Sequence, residues 1–179
     1  MIILDTETTG LPQPTVAGLA AQPYIIEFAA VKVDARNMKE LDRITFFCKP
    51  PMTLPPVITK ITGITDAMLA DAEPFAAHYE ELANFFVGEV EGVAHNAPFD
   101  FALMEFDLTR INKQHQFPWP IRRCCTVEAT YHIMNRRMKM IELYEYALKK
   151  PLAQTHRAMD DVEALYEIVR WMHKNRMPL

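Results

Sequence analysis

The sequence predicts an α/β fold in which a central mixed sheet of five strands is flanked by helices. Strand-like stretches come first, and helical and strand-like segments alternate from about residue 74 onwards, a pattern typical of layered α/β domains. The chain has 179 residues, of which 50% are hydrophobic and 23% are charged, enough to bury one ordinary core but not two. We therefore expect residues 1–179 to form a single domain.

The early strands are marked by apolar runs. Residues 1–4 are continuously apolar, as in a strand buried on both faces. Two more strand-like stretches, residues 24–33 and 43–47, are separated by a polar turn. The proline-rich segments around residues 12–23 and 49–56 are predicted to be loops.

From residue 74 onwards, helices and strands alternate. Pro74 can begin a helix in which Phe75, Tyr79, Leu82 and Phe86 recur on one apolar face. The later predicted elements are a short buried strand, a helix, a fifth strand and two helical segments, at residues 92–94, 98–111, 123–126, 127–150 and 155–176.

Composition excludes several classes of enzyme. The chain contains no serine, so a Ser-His-Asp hydrolase is impossible. Its five glycines cannot form a GxGxxG dinucleotide fingerprint or a GxxxxGK phosphate loop. The three cysteines form neither a CxxC pair nor a disulfide framework, which indicates a reducing compartment.

The net charge of −4 argues against a generally basic, nucleic-acid-binding surface. The charge is unevenly distributed, however. Residues 1–100 carry 6 Lys/Arg and 14 Asp/Glu, a balance of −8, and residues 101–179 carry 13 and 9, a balance of +4.

The sequence predicts a cytoplasmic protein without membrane contact. Asp5 interrupts the N-terminal apolar run after four residues, which is not the pattern of a signal peptide. No apolar run approaches the roughly 18 residues of a membrane-spanning helix. Because only 18 residues follow Asp161, we expect no long tether to a polymerase.

Two acidic residues follow the first predicted strand. Asp5 and Glu7 are two positions apart, so their side chains should leave the same face of an extended chain. Carboxylates held side by side repel each other, and a hard divalent cation with oxygen ligands would relieve that repulsion. Taken alone, the pair could also be solvated and idle.

Two further acidic residues stand out. Asp100 should begin a helix directly after a buried strand, at the sheet edge where open α/β folds bind ligands. Asp161 falls at the edge of a helical apolar stripe, whereas its neighbour Asp160 lies on the opposite, polar face. Because an unpaired buried carboxylate costs several kcal/mol, Asp161 must have a partner. His95, close to Asp100, is as easily explained by packing as by function.

Together these segments resemble the DnaQ-like, or DEDDh, superfamily of 3′→5′ exonucleases. The resemblance extends from Ile3 to about Trp171. Three motifs carry it, DxE followed by TG, NxxFD and HxAxxD, and they match Asp5, Glu7, Thr9, Gly10, Asn96, Phe99, Asp100, His156, Ala158 and Asp161.

The resemblance implies an RNase H-like fold and a two-metal site. Two Mg²⁺ or Mn²⁺ ions would be held by Asp5, Glu7, Asp100 and Asp161, with His156 as the general base. The substrate contacts that it implies are Thr6, Thr8, Leu11, Ile64, Asn96 and Phe99, with Leu11 as an apolar wedge and Ile64 packed on the terminal base. Leu11 and Ile64 could instead be plain core residues.

Several basic residues near the predicted fifth strand and its following helix could line the approach of a nucleic-acid strand, or could form an ordinary solvated surface. They are Arg122, Arg123, Arg136, Arg137 and Lys139.

The implied function is metal-dependent removal of nucleoside 5′-monophosphates from the 3′ ends of DNA, with single-stranded DNA as the expected partner. The alternatives are an RNA-directed exonuclease of the same superfamily and a proofreading subunit associated with a polymerase or repair partner. An inactive binding module and a structural protein with scattered surface acids are more distant alternatives.

Overall fold

The computed structural model describes residues 1–13, 15, 18–153 and 156–179. Within these residues, five strands form one mixed sheet in the order β3-β2-β1-β4-β5. The strands are β1 (Ile2–Thr8), β2 (Ile25–Asp34), β3 (Lys39–Phe47), β4 (Glu91–Ala94) and β5 (Arg122–Cys125). β1 to β3 pair antiparallel, and β4 and β5 run parallel to β1. The predicted mixed five-stranded sheet flanked by helices is confirmed.

The α-helices of the described residues follow the third strand. They are α1 (Pro56–Thr62), α2 (Asp66–Leu69), α3 (Tyr79–Phe86), α4 (Ala97–Arg110), α5 (Thr126–Ala129), α6 (Tyr131–Met134), α7 (Met140–Leu148) and α8 (Ala158–Lys174). In the described part of the chain, no helix is long and apolar enough to span a membrane.

The sheet separates two apolar cores because successive strand side chains point to opposite faces. Ile2 and Leu4 of β1 pack with α3 and α4 on one face. Ile3, between them in sequence, packs with α7 and α8 on the other face. A smaller core forms between β2 and the α1–α2 segment and contains Ile26, Leu54, Ile64 and Leu69.

The first strand is longer than the apolar run that predicts it. Pairing with β2 continues past Leu4, with Asp5 opposite Ala29 and Glu7 opposite Glu27. Asp5 and Glu7 therefore lie within the central strand rather than after it. Backbone pairing with β2 holds them more rigidly than a loop would.

Three helical predictions need correction. The helix predicted from Pro74 begins as a 3₁₀ turn at Phe75–His78 and continues as α3, with its predicted apolar face buried. The single helical segment predicted at residues 127–150 is divided among α5, α6 and α7. Thr130 lies at the break between α5 and α6, and α6 ends at Asn135, which adopts a left-handed conformation with φ of 52°. The last helix begins at Ala158, after His156 with φ of 51°; Gln154 and Thr155 lie outside the described residues.

The sequence analysis missed α1 and α2 because the surrounding prolines indicate a loop. Proline is nevertheless well suited to a first helical position, where its missing N–H costs nothing. α1 begins at Pro56 and ends at Gly63, whose φ of 72° forms a left-handed cap. This segment brings Ile64 against β2.

Gly92 on β4 provides a test of packing between the sheet and α4. A Cβ atom at this position would lie 2.7 Å from the Phe101 ring and 2.9 Å from the Pro120 ring. We expect Gly92→Ala to lower the free energy of unfolding by about 1–3 kcal/mol. Gly10→Ala is the matched control, since its added Cβ has no neighbour within 4 Å. Equal midpoints of denaturant unfolding for the two variants would contradict this packing.

Candidate active site

Three separate segments converge at the edge where the parallel strands β1 and β4 end. β1 supplies Asp5 and Glu7, the first turn of α4 supplies Asp100, and the first turn of α8 supplies Asp161. Asp5 lies close enough to Asp100, Asp161 and Glu7 for their charges to raise its pKa. The structure thus brings together the four predicted carboxylates.

Asp5 and Glu7 are on the α8 side of the sheet, as their spacing predicts. They alternate with Thr6 and continue the face on which Ile3 packs against α8. At the end of this face, ligand atoms of Glu7, His156 and Asp161 all lie within 4.8 Å of one another. The predicted histidine therefore joins the acidic cluster.

Asp100 reaches the cluster from the other side of β1. It is 2% exposed, and its Oδ1 accepts hydrogen bonds from the backbone N–H and the hydroxyl of Thr6, at 3.1 and 2.8 Å. Thr6, predicted as a substrate contact, is itself buried and orients this carboxylate. The central strand thus supplies two acidic residues on one face and the support for a third on the other.

Asp161 occupies the inner face of α8. It is 5% exposed and lies among the buried apolar residues of that helix, such as Val162 and Leu165. Its neighbour Asp160 is exposed. The predicted contrast between an inward-facing Asp161 and an outward-facing Asp160 is confirmed.

Burial and mutual repulsion make this cluster unfavourable as four bare charges. Burial, followed by repulsion from Asp100, raises the pKa of Asp5 well above its ordinary value. Burial and then repulsion from Asp161 raise the pKa of Glu7 to about 8. Burial raises the pKa of Asp100 to about 7, although the hydrogen bonds from Thr6 act to lower it. Burial also raises the pKa of Asp161 to about 6, although the charge of His156 acts to lower it.

The donor set fits hard divalent cations. The carboxylate of Asp5 accepts no hydrogen bond from any residue that the structure describes. Carboxylate oxygens are the ligands that Mg²⁺ prefers, together with water and substrate phosphate. Four such groups with raised pKa values are therefore suited to cations that would restore their ionised forms.

His156 is half-buried and has a strained backbone. Its φ of 51° lies in the left-handed region, which is uncommon for residues with a β-carbon. It directly precedes the N-cap residue of α8, Arg157. Such conformations persist where surrounding contacts enforce them, frequently at functional sites.

Glu27 is a buried acidic residue beside the cluster that the sequence patterns did not single out. It lies on β2 opposite Glu7, is 3% exposed and forms an ion pair with Arg157. The available signal was a single charged residue in the apolar run Ile-Ile-Glu-Phe-Ala-Ala. A charge in such a run must find a partner or a ligand when the strand is buried.

The predicted substrate contacts have different placements. Leu11 is 72% exposed, and Phe99 is half-buried against the α3–α4 core. Thr8 is buried, and its hydroxyl donates to the Gly10 carbonyl at 2.7 Å. Asn96 precedes α4 with φ of 73°, and its Oδ1 accepts a hydrogen bond from Arg137 at 2.7 Å.

Ile64 is placed as a core residue rather than as a contact for a terminal base. It is 0% exposed and packs in the small core with Ile26, Leu54 and Leu69. Its side chain presents no surface for a terminal base here. Of the two interpretations that the sequence left open, the structure favours the core residue.

His95 serves the structure rather than the acidic cluster. Its Nδ1 lies 2.9 Å from the Thr126 hydroxyl and its Nε2 lies 3.1 Å from the Met138 carbonyl. Burial lowers its pKa to about 4 despite the hydrogen bond to Met138. The ring therefore links the end of β4 to the segments that follow β5.

Most of the basic residues that could line the approach of a nucleic-acid strand form ion pairs with acidic residues on the surface. Arg122 pairs with Glu91, Arg123 with Glu105, Arg136 with Glu142 and Arg137 with Glu128. The solvated-surface interpretation fits these four residues better than a strongly positive lobe.

Comparison with known proteins identifies the family of the chain. The RNase T family model, described as an exonuclease, matches residues 2–169. A PolC-type DNA polymerase III from Bacillus cereus is 31% identical over 91% of this chain, and the match spans 10% of that polymerase. A DNA polymerase III epsilon subunit from Treponema pallidum is 29% identical over 94% of this chain and 74% of its own length.

Solved structures share the fold. The nuclease domain of 3′hExo, described as a DEDDh family member bound to rAMP, superposes with a TM-score of 0.78 at 15% identity and covers 99% of this chain and 93% of its own. Exonuclease X in complex with 5′ overhanging duplex DNA gives a TM-score of 0.64 at 23% identity with the same coverage. These likenesses confirm the RNase H-like fold, and the family model covers nearly the whole chain. The chain therefore belongs to the RNase T exonuclease family, within the DnaQ-like DEDDh superfamily of 3′→5′ exonucleases.

Proposed function

We propose that this chain is a metal-dependent 3′→5′ exonuclease that releases nucleoside 5′-monophosphates from the 3′ ends of DNA. The observation that carries the proposal is the convergence of Asp5, Glu7, Asp100 and Asp161 on one edge of the sheet, with raised pKa values. Family membership supports the reaction class.

The four carboxylates would hold two divalent cations, Mg²⁺ or Mn²⁺. Ionised, the carboxylates carry a charge of −4, which two such ions would balance. When bound, these ions supply activation of a water molecule and stabilisation of the departing 3′ oxygen. Thr6 keeps Asp100 in its orientation through two hydrogen bonds, so this ligand is already positioned.

His156 would act as the general base. As water oxygen attacks the phosphorus, the bond from phosphorus to the 3′ oxygen breaks, and the imidazole removes a proton from the attacking water. Histidine suits this role because its ordinary titration range includes neutral pH. Its position within 4.8 Å of Glu7 and Asp161 atoms supports the assignment.

The terminal nucleotide would bind beside the β1 end of the cluster. Leu11, with 72% of its surface exposed, is available as an apolar wedge. Thr8, Asn96 and Phe99 remain proposed contacts close to it. Wedging and stacking tolerate any base, so we expect little base preference.

DNA is the favoured substrate because the similar curated proteins are named as DNA polymerase III components. Because those proteins are named as polymerase components, we also propose a polymerase as a partner of this chain and the cytoplasm as its location. The second candidate is RNA trimming, which is favoured by the fold shared with a DEDDh nuclease bound to rAMP.

The site assignment predicts that Asp161→Asn reduces trimming of a 3′-end DNA substrate by more than about 100-fold. Loss of a ligand should exceed the 10–100-fold effect that loss of a ligand's outer-shell partner has. Asp160→Asn is the matched control, since it makes the same change one residue away on the exposed side of α8. Equal rates for the two variants in Mg²⁺ would contradict the assignment.

The raised pKa values predict how stability depends on pH without divalent cations. The folded chain holds protons on these carboxyls up to the pKa of about 8 at Glu7, whereas the unfolded chain releases them near the ordinary carboxyl pKa of about 4. The folded state binds more protons in this window, so the free energy of unfolding should fall as pH rises through it.

Thermal unfolding in a chelator, between about pH 5 and about pH 8, measures this slope. Glu7→Gln should flatten it, and Glu81→Gln, at an exposed position on α3, should not. Mg²⁺ should raise the wild-type midpoint more at the higher pH. The same slope in wild type and Glu7→Gln would contradict a raised pKa of the Glu7 carboxyl in the folded chain.

Substrate class is tested with single-stranded DNA and RNA of matched sequence. We expect faster release of monophosphates from DNA, and no release from a DNA strand whose 3′ end carries a phosphate block. Faster digestion of RNA would favour the second candidate, and cleavage of the blocked strand would contradict an end-directed mechanism.

A further inference from the structure

Glu27 is a fifth buried acidic residue next to the cluster, and its carboxylate is fully engaged. Its Oε1 accepts from Nη2 of Arg157 at 2.9 Å, and its Oε2 accepts from Nε of Arg157 at 3.1 Å. Oε2 also accepts from the backbone N–H of Ala158 at 3.1 Å. With both oxygens occupied by protein donors, Glu27 is poorly placed to be a metal ligand.

The donors of these bonds directly follow His156 in the chain. Arg157 is the N-cap residue of α8 and Ala158 is its first residue. The Arg157 guanidinium also lies over the Phe47 ring of β3, 5.1 Å from its centroid. Residues 157 and 158 are thereby attached to β2 and β3, immediately after the left-handed φ of 51° at His156.

We propose that the Glu27–Arg157 ion pair is a positioning device for His156, holding its backbone so that the imidazole faces Glu7 and Asp161. This inference rests on the proposed function of His156 as the base. Because the Glu27 oxygens and the Arg157 donors are occupied by each other, we assign the pair a positioning role that acts through the histidine.

The chemistry of the pair favours positioning over general stabilisation. The Glu27 carboxylate is buried but the Arg157 side chain is 37% exposed, and an ion pair with one partner so exposed adds little to stability. A bidentate guanidinium–carboxylate contact instead fixes direction, because both groups are planar and form two parallel bonds. A misplacement of about 1 Å at a catalytic group can cost about 100-fold in rate.

The test is Arg157→Lys, which keeps the positive charge and loses the bidentate geometry. We expect kcat to fall by about 10- to 100-fold, with KM and the Mn²⁺ concentration for half-maximal rate unchanged. Arg43→Lys is the matched control, since Arg43 contacts Glu40 through the same two atoms, Nε and Nη2, at 2.7 and 2.9 Å on an exposed part of β3. It should leave kcat unchanged.

A double-mutant cycle tests whether Arg157→Lys lowers kcat through His156. In a His156→Ala background, Arg157→Lys should change the residual rate little, because the group that it positions is gone. A full wild-type kcat for Arg157→Lys, or an equal loss with and without His156, would overturn the inference. Wild-type activity of His156→Ala alone would instead overturn the proposed role of the histidine itself.

If the rate of His156→Ala is too low to measure, nuclear magnetic resonance of ¹⁵N-labelled histidines decides. Arg157→Lys should shift or broaden the ring signals of His156 and leave those of His95 unchanged, since both His95 ring nitrogens are held elsewhere. Unchanged His156 signals would contradict a positioning role.

Discussion

Burial of Asp5, Glu7, Asp100 and Asp161 beside one another is the constraint on which the rest of this structure depends. Burial raises the pKa of each of the four carboxyls, and repulsion from the others raises those of Asp5 and Glu7 further. Apart from the site, the chain is an ordinary layered domain whose two apolar cores keep the sheet and helices in place. Those cores offset the cost of assembling four acids at one edge of the sheet.

The fold meets this constraint through the alternation of β1. Asp5 and Glu7 face α8, where Asp161 lies, while the intervening Thr6 holds Asp100 at the start of α4. Each helical layer thus delivers one carboxylate to the end of the same strand. The Glu27–Arg157 pair connects β2 to the start of α8, the helix that directly follows the His156–Arg157 segment.

Short-range patterns predicted which face each acidic residue occupies, and the resemblance to a known family predicted that the four would meet. Alternation placed Asp5 and Glu7 on one face, and helical periodicity distinguished Asp161 from Asp160. Features set by long-range contacts could not be predicted: the partner of Glu27 is 130 residues away, and Ile64 is buried by a segment whose prolines indicate a loop. Within residues 127–150, α6 also ends at a left-handed residue, Asn135, that no apolar pattern marks.

Calorimetric titration of the purified chain with Mn²⁺ tests the central claim most directly, because it reports cation binding without requiring a substrate. The account predicts saturable binding of two ions by the wild-type chain and a marked loss of binding when Asp5 is replaced by asparagine. Absence of Mn²⁺ binding by the wild type, or the same binding curve for both proteins, would contradict a site built from these carboxylates.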